Sequence, residues 1–315
     1  MSEARRLPMR TSAWKFGIAT LIVLVSISLA HASSVEGAFE RTFQVNGHAD
    51  LEIFTRSGDV IVRGGPAGTV AVSGKIHVGE AWWHGGKQAE VEKLEQNPPI
   101  RQSGGSIRID YVDLRNISID YEIAVPADTR VRTRSDSGDQ TIQDLGADLD
   151  LESGSGDLRL SHLTGHVEAH TGSGNIEAGS IAGPITAEAG SGDIRLEEKT
   201  DGEVNAHTGS GNIEINGISG GLRADAGSGD VTVEGAQAGN WEIRTRSGNA
   251  RLRLPPEARF NLEARTTSGT VIVDPSITMT VQGRVEESRR FISGAVYGGG
   301  PLINVHTGSG DIHVY

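Results

Sequence analysis

From about residue 130 the apolar positions fall on alternate residues, in two short runs on either side of a recurring tripeptide, Ser-Gly-Asp/Asn. Six residues before each serine stand Leu149, Val167, Ile185, Val204, Leu222 and Trp241. Four before it stand Leu151, Ala169, Ala187, Ala206, Ala224 and Ile243, and two before it Ser153, Thr171, Ala189, Thr208, Ala226 and Thr245. The residues between these are polar or charged. Period-two alternation means a strand with one buried face. A second such run follows the serine by three and five residues, as Leu158/Leu160, Ile176/Ala178, Ile194/Leu196, Ile213/Ile215 and Val231/Val233. Each unit therefore predicts two strands with a turn between them.

The serines lie at 57, 137, 155, 173, 191, 210, 228 and 247, a Ser-Gly-Thr variant follows at 268, and Ser-Gly-Asp returns at 309. From Ser137 the intervals are 18, 18, 18, 19, 18, 19, 21 and then 41, which reads as about two units, while the first gap of 80 reads as about four. A period held this long marks a repeat architecture. The expected fold is all-β, a single-chain parallel β-solenoid of about 18-residue coils with two strands per coil. The general preference for right-handed crossovers makes it a right-handed β-helix. A left-handed hexapeptide helix would repeat its apolar residues every six positions, which this chain does not do.

Glycine accepts φ > 0 without steric cost, and a neighbouring Asp or Asn bonds nearby backbone. Gly138, Gly156, Gly174, Gly192, Gly211, Gly229 and Gly248 are therefore expected to mark one corner in successive coils. Asp157, Asn175, Asp193, Asn212, Asp230 and Asn249 stand beside them. Stacked coils place equivalent residues about 4.8 Å apart, where like charges repel. The outward position three before the serine reads Arg134, Glu152, His170, Glu188, His207, Asp225, Arg244. The position four after it reads Arg159, Glu177, Arg195, Glu214, Thr232, Arg251, and the turn residue alternates acid with amide. Three columns thus carry the alternation that in-register parallel stacking requires. His170, Glu188 and His207 belong to such a ladder rather than to a metal or acid–base site.

Residues 33–130 are expected to form a less regular N-terminal β region, with a short helical insertion near 87–96 ended by Pro98-Pro99. Residues 131–274 hold the regular coils and 275–315 an interrupted C-terminal coil. Trp82 and Trp83 precede the helix and are either a packing plug or a ligand contact that stacks on sugar rings. Solenoid ends need protection from edge pairing.

Composition sharpens this picture. The chain has 315 residues, 43 of them glycine, 4% aromatics and no cysteine. Lack of cysteine rules out disulfides, thiolate metal sites and a cysteine nucleophile. Arg5, Arg6, Arg10 and Lys15 precede an apolar run from Phe16 to Ala30, and Ala30-His31-Ala32 supplies a small-x-small site, so residues 1–32 read as a signal peptide cut after Ala32. The run is shorter than the ~20 residues a span needs. Four basic groups and Glu3 leave with it, taking the formal charge from −12 to −15. An acidic surface disfavours nucleic acid and anionic headgroups. The mature chain is expected in the periplasm, on the cell surface or secreted, without an integral membrane segment.

Together, the leader, the early Ser57-Gly58-Asp59-Val60-Ile61-Val62 unit, Ile119-Asp120-Tyr121-Glu122-Ile123-Ala124-Val125-Pro126 and the Gly-Ser-Gly-Asp/Asn-Ile coils resemble the bacterial putative-adhesin family of unknown function. The resemblance covers most of residues 45–315. It implies an exported envelope β-solenoid and carries no catalytic residues. The expected function is non-catalytic, adhesin-like binding or scaffolding toward an envelope or extracellular protein or glycan, with no cofactor and no metal. The alternative is a carbohydrate-active β-helix enzyme acting on a polysaccharide, whose clustered carboxylates are diluted here by bases. A nonapeptide calcium solenoid fits poorly. Half the turns carry Asn, and they supply too few oxygens for the six to eight that calcium takes.

Overall fold

The computed structural model describes residues 35–79, 87–198, 202–281 and 289–315. Strands running into each Ser-Gly-Asx corner form one sheet, the inbound sheet, and strands leaving it form the outbound sheet. Among the described residues these hold 14 and 13 strands. Leu149–Ser155 pairs in parallel with Val167–Ser173, which pairs with Ile185–Ser191, and so on, with Leu149 opposite Val167 and Val167 opposite Ile185. Beyond the corner, Leu158–Leu163 pairs with Ile176–Ile181 in the same way. The chain is a parallel β-solenoid with two strands per coil.

Its core is a thin layer between the sheets. The residues six and four before the serine are buried throughout, from Leu149 and Leu151 to Trp241 and Ile243. Trp241 is the largest of them and donates its indole N–H to the Gly220 carbonyl at 3.0 Å. A further inward residue lies eight after the serine, at Leu145, Leu163, Ile181 and Ile218, all buried. Strict alternation would turn this position outward. The residue before it, Asp144, His162, Ser180 or Gly217, has positive φ (54° to 78°), which re-aims the next side chain into the core.

Two spacings prove misleading. The 80-residue interval is not four coils, because Asp50–Thr55 pairs directly with Arg130–Ser137, and Val60–Gly65 with Gln140–Leu145. The intervening chain builds the N-terminal end. Thr69–Val78 runs antiparallel between Val35–Gln44 and Ile117–Pro126, the helix Gln88–Gln96 packs Val91 and Leu94 inward, and Ile100–Ser103 with Ser106–Ile109 extends the inbound sheet. Glu95 of the helix accepts the edge amide of Ala38 at 2.9 Å.

Nor is the 41-residue interval two coils in sequence order. The last coil, Leu302–Ser309 and Ile312–Val314, inserts between Trp241–Ser247 and Phe260–Ser268. The amide of Gly248 bonds Ser309 O, and that of Gly310 bonds Ser268 O, each at 2.9 Å. Phe291–Val296 then pairs antiparallel with Phe260–Ser268, followed by Met279–Val281, and ends the parallel inbound run.

Candidate functional site

The corner is an unbroken column. The glycine after each serine has φ between 107° and 154° at Gly58, Gly138, Gly156, Gly174, Gly192, Gly211, Gly229, Gly248, Gly269 and Gly310. A Cβ on Gly192 would sit 1.9 Å from Gly174 O, and one on Gly156 2.2 Å from Gly138 O. Both backbone conformation and space demand glycine here.

Beside it runs a second column. The side-chain oxygen of each turn residue accepts the backbone amide of its equivalent in the next coil. Asp120 bonds Asp59, Asp59 bonds Asp139, Asp139 bonds Asp157, and the relay passes through Asn175, Asp193, Asn212, Asp230, Asn249 and Asp311 to Thr270, at 2.8–3.0 Å. Asp or Asn fits because each offers an acceptor at the same reach. Asp59, Asp139 and Asp157 are adjacent in the stack, so acid does not alternate with amide at that end. Burial pushes the Asp139 carboxyl up, but the Arg159 guanidinium and the Asp157 amide outweigh it and hold it below the usual range. Asp230 is likewise held low, with burial opposed by Asn249 and Arg251. A third column turns inward, where Thr171, Thr208 and Thr245 donate their hydroxyls to Gly156, Gly192 and Gly229 carbonyls of the preceding coil.

On the outer face of the inbound sheet, the residue before each serine is glycine in five consecutive coils, at 154, 172, 190, 209 and 227. The first four of these form the floor of an open groove of about 650 Å³ along the stack, walled by Arg134, Glu152, His170, Glu188 and His207. Four of the wall residues pair, Arg134 with Glu152 at 3.1 Å and, when its imidazole is protonated, His170 with Glu188 at 3.3 Å. Exposed pairs like these contribute little each, about 0–1 kcal/mol. At its N-terminal end the groove meets a depression of about 490 Å³ lined by Phe54, Arg108, Asp110, Tyr111, Arg134 and Asp136. Arg108 lies 4.4 Å over the Phe54 ring and bonds Asp110 and Glu52 at 2.8 Å. Hydrogen bonding from Arg108 holds Asp110 below its ordinary range.

The groove glycines and the Phe54–Tyr111 platform escaped the sequence reading. The available signal was a contrast between two glycine columns. The corner is glycine in every coil, whereas its neighbour changes to Asp136, Arg246 and Thr267. Trp82 and Trp83 lie outside the described residues. Among the described residues, no group of three or more His, Asp or Glu is placed to hold a metal ion, and no helix is long and apolar enough to cross a membrane.

Two solved structures are similar over most of the chain. One, described as a putative cell adhesion protein from Clostridium sporogenes, aligns over 88% of this chain and 98% of its own at 14% identity, with a TM-score of 0.20. The other, described as a putative adhesin from Bacteroides fragilis, aligns over 88% and 97% at 13% identity, with a TM-score of 0.44. No curated protein matches the chain. The profile of the family described as Toastrack DUF4097 matches residues 49–211 and again 167–315.

Proposed function

The chain belongs to the Toastrack DUF4097 family, and from that premise we propose that its mature part is an exported, non-catalytic β-solenoid that binds or scaffolds through the long face of its inbound sheet. We assign residues 1–32 to a leader removed after Ala32, 33–130 to an N-terminal cap region, 131–274 to the coils and 275–315 to the closing coil. The adhesion-related descriptions of the two solved structures agree with a surface or extracellular location.

The observation that carries this reading is the groove, about 650 Å³, open along its length and lined by five coils. It is fixed on strands rather than on loops, so the wall side chains project from a preorganised frame. A polysaccharide-acting enzyme would need a carboxyl held protonated as a general acid, set against a second carboxylate. Asp110, Asp139 and Asp230 are all shifted the other way.

The test is retention of the purified protein on cell envelopes. The reading predicts saturable retention that is lost when the groove is filled by Gly190→Arg, and no release of reducing sugar from common polysaccharides. Equal retention of wild type and variant, or turnover of a polysaccharide, overturns it.

A further inference from the structure

We propose that the C-terminal end of the inbound face binds an anionic polysaccharide through Arg244, Arg246, Arg265, Arg289 and Arg290. The inference rests on the reading that this face binds, and it names a ligand class for the coils beyond the groove. Insertion of the last coil creates the cluster. It sets His306 opposite Arg244 on one side and Arg265 on the other, so the outward column three before the serine runs Asp225, Arg244, His306, Arg265. From Arg134 to Asp225 that column alternates base with acid, as neighbours about 4.8 Å apart should. Here two arginines stand two rungs apart with no carboxylate between them.

The rest of the stack neutralises its arginines. Arg132 pairs with Asp150 at 2.7 Å, Arg159 with Asp139 at 2.7 Å and Arg251 with Asp230 at 2.6 Å. Arg246, Arg265, Arg289 and Arg290 are exposed and make no ion pair among the described residues. The last two adjoin the same strand, where the Arg290 carbonyl accepts the Thr266 amide. The Arg265 guanidinium lies 4.8 Å over the Phe291 ring, a cation–π contact that orients its donors without satisfying them. The acids close by are Asp225, Glu263 and Glu242, and Glu242 already bonds Arg223 and Arg244. A local excess of positive charge thus stands on a chain of formal charge −12.

The surroundings select the ligand. Guanidinium forks match carboxylates and phosphates. An anionic bilayer or a nucleic-acid duplex is a broad surface, and with screening only beyond about 8 Å it also meets Asp225 and Glu263. A narrow chain crosses the basic rungs alone. Single-stranded nucleic acid needs open rings for its bases, whereas Phe291 is covered by Arg265. An acidic peptide finds no edge to which it can add a strand, because Trp241–Ser247, Leu302–Ser309 and Phe260–Ser268 are each paired on both sides. A polysaccharide bearing carboxylates along its length meets these conditions.

The experiment is calorimetric titration at low salt with hexagalacturonate and hexamannuronate, with maltohexaose as the neutral control, and with phosphatidylglycerol vesicles and oligothymidylate. At least one uronate hexamer should bind, more weakly as salt is raised, and maltohexaose should not. The Arg246→Thr, Arg265→Gln variant should weaken binding tenfold or more. The charge-matched Arg195→Gln, Arg253→Gln variant on the outbound face should change it less than twofold. His306→Glu restores the alternation, so it should raise the melting temperature while weakening uronate binding tenfold. Should the first variant fail to fold by circular dichroism, His306→Glu and Arg289→Gln, Arg290→Gln carry the test. Failure of both uronates, equal binding of maltohexaose, tighter binding of vesicles or oligothymidylate, or indifference to the cluster variants overturns the inference. If the uronates fail while envelopes still retain the protein in a groove-dependent way, the ligand assignment falls and the binding reading stands. If envelopes fail as well, both fall.

Discussion

The middle of the stack and its two ends are built from the same coil but assembled by different rules. Between Ser137 and Ser247 each coil lies on the one before it in the chain, so every inbound strand finds its partner 18 or 19 residues away. At the ends the partners are remote. Asp50–Thr55 lies on Arg130–Ser137, and the final coil wedges between Trp241–Ser247 and Phe260–Ser268. Antiparallel strands then finish both ends. A repeat can grow by local pairing, but stopping it takes a different kind of strand, since a parallel edge left open invites another chain. The middle is thus a problem of period and the ends a problem of closure.

Removing residues 302–315 attacks that difference most directly. It withdraws the strand between two others, at a cost of roughly 3 kcal/mol or more. Hydrogen exchange should show amides of Trp241–Ser247 and Phe260–Ser268 losing protection while Leu149–Ser155 keeps its own. Uniform loss would mean that middle and end unfold as one.

Next in size is Gly192→Val, where positive φ and the Gly174 carbonyl leave no room. Its cost should be about 3 kcal/mol, read as a fall in the urea midpoint. Gly190→Ala, one column away, should cost less, because Gly190 has no positive φ to strain, although its Cβ would still press on the Gly172 carbonyl at 2.5 Å. Asn212→Ala removes the acceptor for the Asp230 amide and should cost about 1–2 kcal/mol.

Acid provides a gentler probe. Folding holds Asp139 and Asp230 below the ordinary carboxyl range, so their stabilisation is complete above about pH 4 and is lost as pH falls toward their lower folded values. The Asp139→Asn, Asp230→Asn pair should therefore flatten the dependence of melting temperature on pH below 4. The smallest effect is expected from Arg195→Ala. Arg195 sits 3.6 Å from each of Glu177, Asp193 and Glu214 on the exposed face, and the loss should stay under about 1 kcal/mol.

The coil was legible because its determinants are local. Alternation buries Leu149, Leu151 and Leu158, and the corner needs glycine whatever lies far away. Charge alternation at Arg134, Glu152 and His170 even revealed the register. Leu163 and Ile181 were missed because the positive φ of His162 and Ser180 breaks the parity on which alternation depends. The insertion of the last coil was hidden for a different reason. Ser309 carries the same corner as every other coil, and nothing in a repeated motif says which copy it will stack upon. As for the site, the turn residues were readable as turns, but the coil-to-coil direction of the Asp/Asn relay emerges only from stacking. The groove comes from side chains that are missing, which a search for chemical groups passes over.

Since the chain has no cysteine, disulfide trapping can test the stacking order cleanly. Glu242 lies opposite Asn304, and Asn304 opposite Glu263, which puts 242 and 263 two rungs apart, near 10 Å and beyond the reach of a disulfide. The Glu242→Cys, Asn304→Cys variant should cross-link fully on mild oxidation and the Glu242→Cys, Glu263→Cys variant should not. Ready cross-linking of 242 with 263, and none of 242 with 304, would mean that the coils stack in chain order and would contradict the architecture described above.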